Sequence, residues 1–424
     1  MRLTADDEAV LALLADRGGA LVARAEAWCA INTGSRNLAG LEEQQGILAE
    51  VMGRLSGDLE RLPLAATAEI GADGATRSQR HPDALRLTVR AHAPVQVVLT
   101  GHYDTVYPVD SPFRSIRHLA DGALHGPGIA DMKGGLSVML GALEAFETHP
   151  LAGRVGYRVL LSPDEEIGSP ASAPLLAAVA AGGHIGMTYE PCMPDGALAG
   201  ARKGSGNFHI AITGRTAHAG RDFASGRNAL AGAAALAAAL DALNGLHGDV
   251  TVNIARIDGG GALNVVPGSA VLRFNIRVPD PEAADWCLAR IREAMADLAA
   301  RDLGACLHGG FSRPPKPVNA AQQRLLEAVR DVGALVGQPI AWRASGGVCE
   351  GNNLFAAGLP NVDTLGVRGG DIHSESEYAW PDSFSERACL SAALLMKLAS
   401  GEVDARGIHR ANAESTLAGQ PRPS

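Results

Sequence analysis

Three short apolar runs constrain this chain more than any other feature. VQVVLTG (Val95 to Gly101), VGYRVLLS (Val155 to Ser162) and IGMTYE (Ile185 to Glu190) are each followed by polar residues, and helical stretches from Leu136 to Phe146 and from Ala171 to Ala181 separate them. Runs of Val, Leu and Ile bounded by turn residues predict strands buried on both faces, and their alternation with helices predicts β-α-β-α-β with a mostly parallel central sheet. In such sheets sites form beyond the carboxyl ends of the strands. A helical opening from Thr4 to about Leu55, punctuated by Gly18, Gly19, Gly34 and Gly40, precedes them.

The chain has 424 residues, past the roughly 250 to 300 at which single cores stop growing, so two lobes are expected. A second pattern supplies the other lobe. FHIAITG, a helix from Asn228 to Leu243, VTVNIARI, VLRFNIRV, the helix PEAADWCLARIREAMADLAAR and ACLHGGF follow in the order β-α-β-β-α-β, the split β-α-β signature of a ferredoxin-like sandwich. The fold class expected is therefore α/β with an inserted α+β lobe: residues 201–312 inserted into a discontinuous domain of 1–200 and 313–424. RPPKP, Arg313 to Pro317, reads as a stiff connector. Helical and strand-like patterns resume through DTLGV and end in a long helix near Ser400, and 403–424 reads as a mobile tail.

Composition excludes several classes. With 46% hydrophobic and 20% charged residues the chain is globular, and 37 basic against 46 acidic side chains, a net charge of −9, disfavour nucleic acid as a partner. The six cysteines, Cys29, Cys192, Cys287, Cys306, Cys349 and Cys389, contain no C-x-x-C pair and read as reduced thiols rather than disulfides or thiolate ligands. The opening MRLTADDEAV resembles no signal or transit peptide, and no apolar run approaches the roughly 20 residues that span a membrane. A cytoplasmic protein without a membrane partner is expected.

Five segments carry chemistry. GHYDTVYP places His102 directly after a strand with Asp104 two residues on, a spacing that lets the carboxylate orient a metal-binding imidazole. HGPGIADMKGG places Asp131 in a glycine-rich loop before a helix, where a carboxylate can bridge two cations. It is not a nucleotide loop, because it lacks G-x-x-x-x-G-K-[ST] and the third glycine of the dinucleotide fingerprint. SPDEEIGS contains adjacent Glu165 and Glu166, which point in different directions, so that one can bind a metal while the other moves a proton. TYEP ends a strand with Glu190, and DIHSESEY carries His373. Each segment taken alone also reads as an ordinary turn, helix cap or solvated loop. Together they supply two histidines and three carboxylates, a donor set that suits Zn²⁺, with Mn²⁺ or Co²⁺ as alternatives. One bridging ligand suffices for two ions about 3.5 to 4 Å apart.

In this order, GHYDTVYP, GPGIADMKGG, DEEIGS, the Glu190 turn, GRTAHAG and the His373 loop resemble the M20 family of metallopeptidases, nearest its glutamate carboxypeptidase (carboxypeptidase G) branch. The resemblance spans most of the chain. It implies that His102 and Glu190 complete one zinc site, Glu166 and His373 the other, and that Asp131 bridges both. It further implies Glu165 as general base toward a metal-activated water, Asp104 as the residue orienting His102, and a cis Asp131–Met132 peptide. The inserted lobe would act as lid and homodimer interface. His218 in GRTAHAG would reach the partner subunit's site to stabilise the oxyanion, Arg277 in FNIRV would bind a substrate carboxylate, and Asn264 in GALNVVP would be a further substrate contact.

The expected activity is cleavage of a peptide or N-acyl amide bond beside a free carboxylate, glutamate carboxypeptidase-like. N-acyl amino acid deacylation or desuccinylation is the alternative within the family. The loop SGGVCEGNN departs from the family pattern, with Cys349 and Glu350 where a small hydroxyl residue and an aspartate are usual. This loop is expected to face the substrate. It opens two further readings: a cysteine amidase using Cys349 with His373 as base, and a non-catalytic carboxylate-binding protein that retains the scaffold. No G-x-S-x-G elbow supports a serine hydrolase.

Overall fold

In the computed structural model, which describes residues 1–418, the three apolar runs become the strands Val95–His102, Val155–Ser162 and Ile185–Thr188. They lie in a six-stranded sheet whose order is Asp58–Leu62, Ala84–Val89, Val155–Ser162, Val95–His102, Ile185–Thr188 and Asn361–Val362. The four strands from Val155–Ser162 to Asn361–Val362 run parallel, and the first two add antiparallel at one edge. Val95–His102 is buried over nearly its whole length, which is why its apolar residues run continuously instead of alternating. The helices Gly18–Cys29, Lys133–Phe146 and Asp382–Ser400 pack together against this sheet in one apolar core.

Glycine decides how closely the Lys133–Phe146 helix approaches the sheet. A Cβ at Gly135 would lie 2.0 Å from the Tyr189 carbonyl oxygen. Only glycine brings the start of this helix, and Asp131 just before it, against the residue that precedes Glu190.

The second lobe has the expected β-α-β-β-α-β order. Its antiparallel sheet runs Thr251–Gly259, Ser269–Val278, Gly204–Thr213, Gly304–Arg313, with the helices Ala229–Asp241 and Pro281–Ala299 against it. Leu236, Leu240, Phe274, Ile276 and Ile291 form a core separate from that of the large sheet. The second helix starts where Pro281 presets the backbone and the Asp280 carboxylate accepts the Ala283 N–H at 2.7 Å.

Three features depart from the sequence reading. Four strands precede Val95, including a hairpin, Thr67–Ile70 and Thr76–Gln79, which touches the small lobe where Arg273 Nη2 donates to the Ile70 carbonyl at 2.7 Å. Three of the four, DLERL, TAEI and TRSQ, are polar and mostly accessible, so no apolar run marks them. RPPKP is more than a connector: Arg313 ends a strand at 1% exposure, and Lys316 is fully buried with its ammonium on Asp363. The backbones of Lys316 and Arg202 pair, so the chain enters and leaves the small lobe side by side. The expected mobile tail is corrected over its first part. Ala405–Ala418 is helical and packs on the Ala320–Leu335 helix through Ala405, Ile408 and Ala411, a spacing obscured because two of the three are alanine. Residues 419–424 of that tail lie outside the described residues. Among the described residues no helix is long and apolar enough to cross a membrane.

Candidate active site

The carboxyl ends of the parallel strands deliver the residues picked from the sequence to one place. His102 is the last residue of its strand, Glu165 and Glu166 follow Ser162, and Glu190 follows Thr188. The His102 Nε2 lies 3.2 Å from Asp131 Oδ1 and 3.7 Å from Glu190 Oε1. The His373 Nε2 lies 3.2 Å from both Asp131 Oδ2 and Glu166 Oε2. Two groups of potential cation ligands result, His102–Asp131–Glu190 and Asp131–Glu166–His373, and Asp131 gives one oxygen to each.

The donor chemistry fits two divalent cations. Glu166 Oε1 and Glu190 Oε1 are buried and have no hydrogen-bond partner among the described residues, an arrangement that is unfavourable without a counter-charge. Burial pushes the Glu166 carboxyl up to about 8, with the charge of Asp131 adding to the effect, and drives Glu190 well above the carboxylate range in the same way. Burial works against charge on His102, yet Asp104 and Asp131 raise it well above an ordinary histidine. Hydrogen bonds to Asp131 and Glu166 raise His373 to about 11. These shifts mark a crowded set of charges that a bound cation would relieve, since cation binding competes with protons for the same ligand atoms.

Asp104, fully buried, organises the first half of the site. One oxygen lies 3.2 Å from His102 Nδ1 and accepts the Glu165 N–H at 3.1 Å. The other accepts from Ser35 Oγ at 2.8 Å and from the Glu166 N–H at 3.1 Å. One carboxylate therefore sets both the imidazole and the turn from which the two glutamates diverge. Glu166 joins a cation group, whereas Glu165 turns to Arg313, whose Nη2 donates to its Oε1 at 2.6 Å. The Asp131–Met132 peptide is cis.

A cleft of about 470 Å³ opens over these residues, and Arg202, Arg277 and Arg313 line it. Arg202 is ion-paired with Asp363 at 2.8 Å and Arg313 with Glu165 at 2.6 Å. Arg277 bonds only the Asn275 side-chain oxygen through Nε, and its Nη1 is buried without a hydrogen-bond partner among the described residues. His218 and Asn264 are not brought into this cleft. Both are exposed on the small lobe, His218 beside Val265 with its Nδ1 accepting the Gly220 and Arg221 N–H groups at 3.1 Å.

The cysteine-nucleophile reading is overturned. Cys349 is 1% exposed, caps the helix Glu350–Ala356, and accepts the Gly351 N–H through Sγ. Burial raises its thiol well above the ordinary range, which disfavours the thiolate that a nucleophile needs. Gly347 and Val348 face the cleft, but Cys349 and Glu350 turn inward. Glu350 shares a hydrogen bond with Ser162 Oγ, and burial pushes its carboxyl up to about 8.

Three residues at the site were missed from the sequence, Arg313, Glu377 and Tyr107, whose hydroxyl donates to Glu377 or to the Ser374 carbonyl. Glu377 is fully buried behind Asp131 and accepts the N–H groups of Gly128, Ala130 and Asp131 at 3.0, 2.9 and 3.0 Å. Its only local mark is one more acid in the DIHSESEY loop.

A paired imidazole–carboxylate site at the carboxyl ends of a mixed sheet, beneath a ferredoxin-like lobe, defines a hydrolase of the metallopeptidase class with ligand groups for two cations. The chain belongs to peptidase family M20/M25/M40, whose sequence model matches residues 98–397. It is similar to carboxypeptidase G2 of Pseudomonas sp. (strain RS-16), 25% identical over 328 residues covering 74% of this chain and 76% of the relative. It is also similar to a succinyl-diaminopimelate desuccinylase of Methylorubrum extorquens, 32% identical over 311 residues covering 66% of this chain and 77% of the relative. Its fold matches the crystal structure of a tripeptidase from Staphylococcus aureus with a TM-score of 0.70 at 21% identity, covering 93% of this chain and 99% of the other.

Proposed function

We propose that the protein uses two divalent cations to hydrolyse a peptide or N-acyl amide bond next to a free carboxylate. The observation that carries the reading is the pair of ligand groups joined by Asp131, facing an arginine that has no acid partner among the described residues. His102 and Glu190 would hold one cation, Glu166 and His373 the other, with Asp131 between them. Zinc is the preferred ion for this donor set, and manganese or cobalt are the alternatives. When bound, the cations would supply Lewis acidity toward the scissile carbonyl and acidify the attacking water.

The remaining work falls to the side chains. Arg313 occupies Glu165 Oε1, so Oε2 is the oxygen assigned to take the proton from water and return it to the leaving nitrogen. Arg277, the cleft arginine without an ion pair, is assigned to the substrate carboxylate, which its planar fork can bind through two parallel hydrogen bonds. His218 and Asn264 enter this reading only through a homodimer, in which the lobe 201–312 presents them to the body, 1–200 and 313–424, of a second copy. There His218 would stabilise the developing oxyanion.

A glutamate-type carboxypeptidase is the first reading, supported by the likeness to carboxypeptidase G2. An N-acyl amino acid deacylase or desuccinylase is the second, supported by the likeness to several desuccinylases. The deciding experiment measures cations per chain together with hydrolysis of N-acyl-glutamates, succinylated amino acids and dipeptides, before and after chelation and zinc return. About two zinc ions and a reversible loss of activity are expected. No bound cation, or full activity in Glu165→Gln, overturns the reading, and carboxylate binding without turnover of any amide would leave a binding protein.

A further inference from the structure

The two cation-ligand groups share Asp131, but nothing in the ligands themselves explains what holds the Asp131 loop and the His373 loop in register. His373 lies in an exposed segment, residues 371–376, and both it and Asp371 have positive φ, 63° and 53°. Non-glycine residues enter that region at a cost, so the loop needs anchoring from outside.

Tyr107 and Glu377 provide it. Both Glu377 oxygens are engaged: Oε1 accepts the Ala130 and Asp131 N–H groups, and Oε2 accepts the Gly128 N–H and, at 2.7 Å, the Tyr107 hydroxyl. The same hydroxyl lies 2.7 Å from the Ser374 carbonyl oxygen, one residue beyond His373. A phenol carries a single proton, so Tyr107 donates to one of the two acceptors at a time and stands between them. Glu377 is thus tied to the shared ligand, and Tyr107 stands between Glu377 and the loop that carries the ligand only the second group uses. Asp104, by contrast, touches neither loop: it serves His102 and the Glu165–Glu166 turn.

We propose that Tyr107 and Glu377 are positioning residues for the cation site, Glu377 setting the shared Asp131 and the Tyr107 hydroxyl tying the His373 loop to it, so that loss of the hydroxyl weakens the cation His373 would hold more than the other. This rests on the two-cation reading above. Ligand-orienting partners of this kind are typically worth about 10- to 100-fold in metal affinity.

The test titrates zinc alone into chelator-stripped full-length protein, following the two binding steps by competition with a chromophoric chelator. Tyr107→Phe keeps the ring that packs edge-on against Phe113 and removes only the hydroxyl. It is expected to leave one step within about twofold of wild type and to weaken the other about tenfold. Glu377→Gln is expected to weaken both steps, because Asp131 is common to them. Unchanged steps in Tyr107→Phe overturn the inference. So does equal weakening of both steps with a lowered melting temperature, the result expected if the hydroxyl only stabilises the fold. Wild-type protein that takes up no zinc overturns the two-cation reading itself, a result distinct from either.

Discussion

His102 and His373 each present Nε2 to Asp131 at 3.2 Å, yet the side chain of one is 1% exposed and that of the other 53%. The first is the terminal residue of a buried strand, fixed by its neighbours in the sheet and by Asp104. The second sits on an exposed loop whose conformation is set by contacts from elsewhere. Equal distances therefore conceal unequal preorganisation. A ligand on a strand end has lost its freedom through folding, whereas a ligand on a loop must still be ordered when the cation binds, and that entropy subtracts from affinity. The sheet-borne group is expected to bind its cation more tightly.

The largest effect comes from removing what the groups have in common. Asp131→Ala is expected to release both cations and lower turnover by more than about 10³, since each cation contributes several kcal/mol. Elemental analysis that still finds two ions per chain would show that the groups are not joined through this carboxylate. His373→Ala separates them. It is expected to retain one cation per chain and lose about 10²-fold in kcat, and loss of both ions would refute the proposed independence of the sheet-borne group.

A pH experiment examines the foundation of that group. Glu350, behind His102, has its carboxyl raised to about 8 by burial, against an ordinary value near 4.3. Because the folded value is the higher, the protonated side chain contributes its full stability below about pH 4, and that contribution is lost as pH rises through about 8. Glu350→Gln imitates the protonated form, so its melting temperature is expected to match wild type near pH 4 and to exceed it progressively as pH rises to 8, by an amount on the order of several kcal/mol. A constant difference across that range would show that Glu350 is not held neutral. The smallest effect is expected from Ser35→Ala, which deletes one of the four donors to Asp104 and should cost about 1 kcal/mol. Zinc titration is expected to show a few-fold loss confined to the His102 step, and a loss confined to the His373 step would reverse the division of labour.

Much of this site was legible in the sequence because its ligands directly follow strands that announce themselves. The polar residues after VVLT, VLLS and GMT are in place as soon as the strands are. Glu377, Tyr107 and Arg313 were not legible. Glu377 stands among two serines and two other acids, Asp371 and Glu375, in its own loop, and Arg313 sits among prolines that read as a spacer. Burial gives each its role, and that burial is created by segments far away in the chain: Glu377 meets the Asp131 N–H across 246 positions, and Arg313 meets Glu165 across 148. The strands before Val95 escaped for the opposite reason, since most of them are polar and accessible and leave little apolar pattern.

The sequence by itself determined the alternation of the parallel strands with their helices, the inserted β-α-β-β-α-β lobe and the set of imidazole and carboxylate donors, because hydrophobic periodicity and residue type are properties of neighbouring positions. The tertiary structure alone decided that Glu166 joins a group of potential cation ligands while Glu165 faces Arg313, that Cys349 is a buried cap, and that Arg277 is the cleft arginine without an acid partner among the described residues. Those assignments depend on which polar group each side chain meets after folding. Such pairings join segments distant in the chain, and no local pattern encodes them.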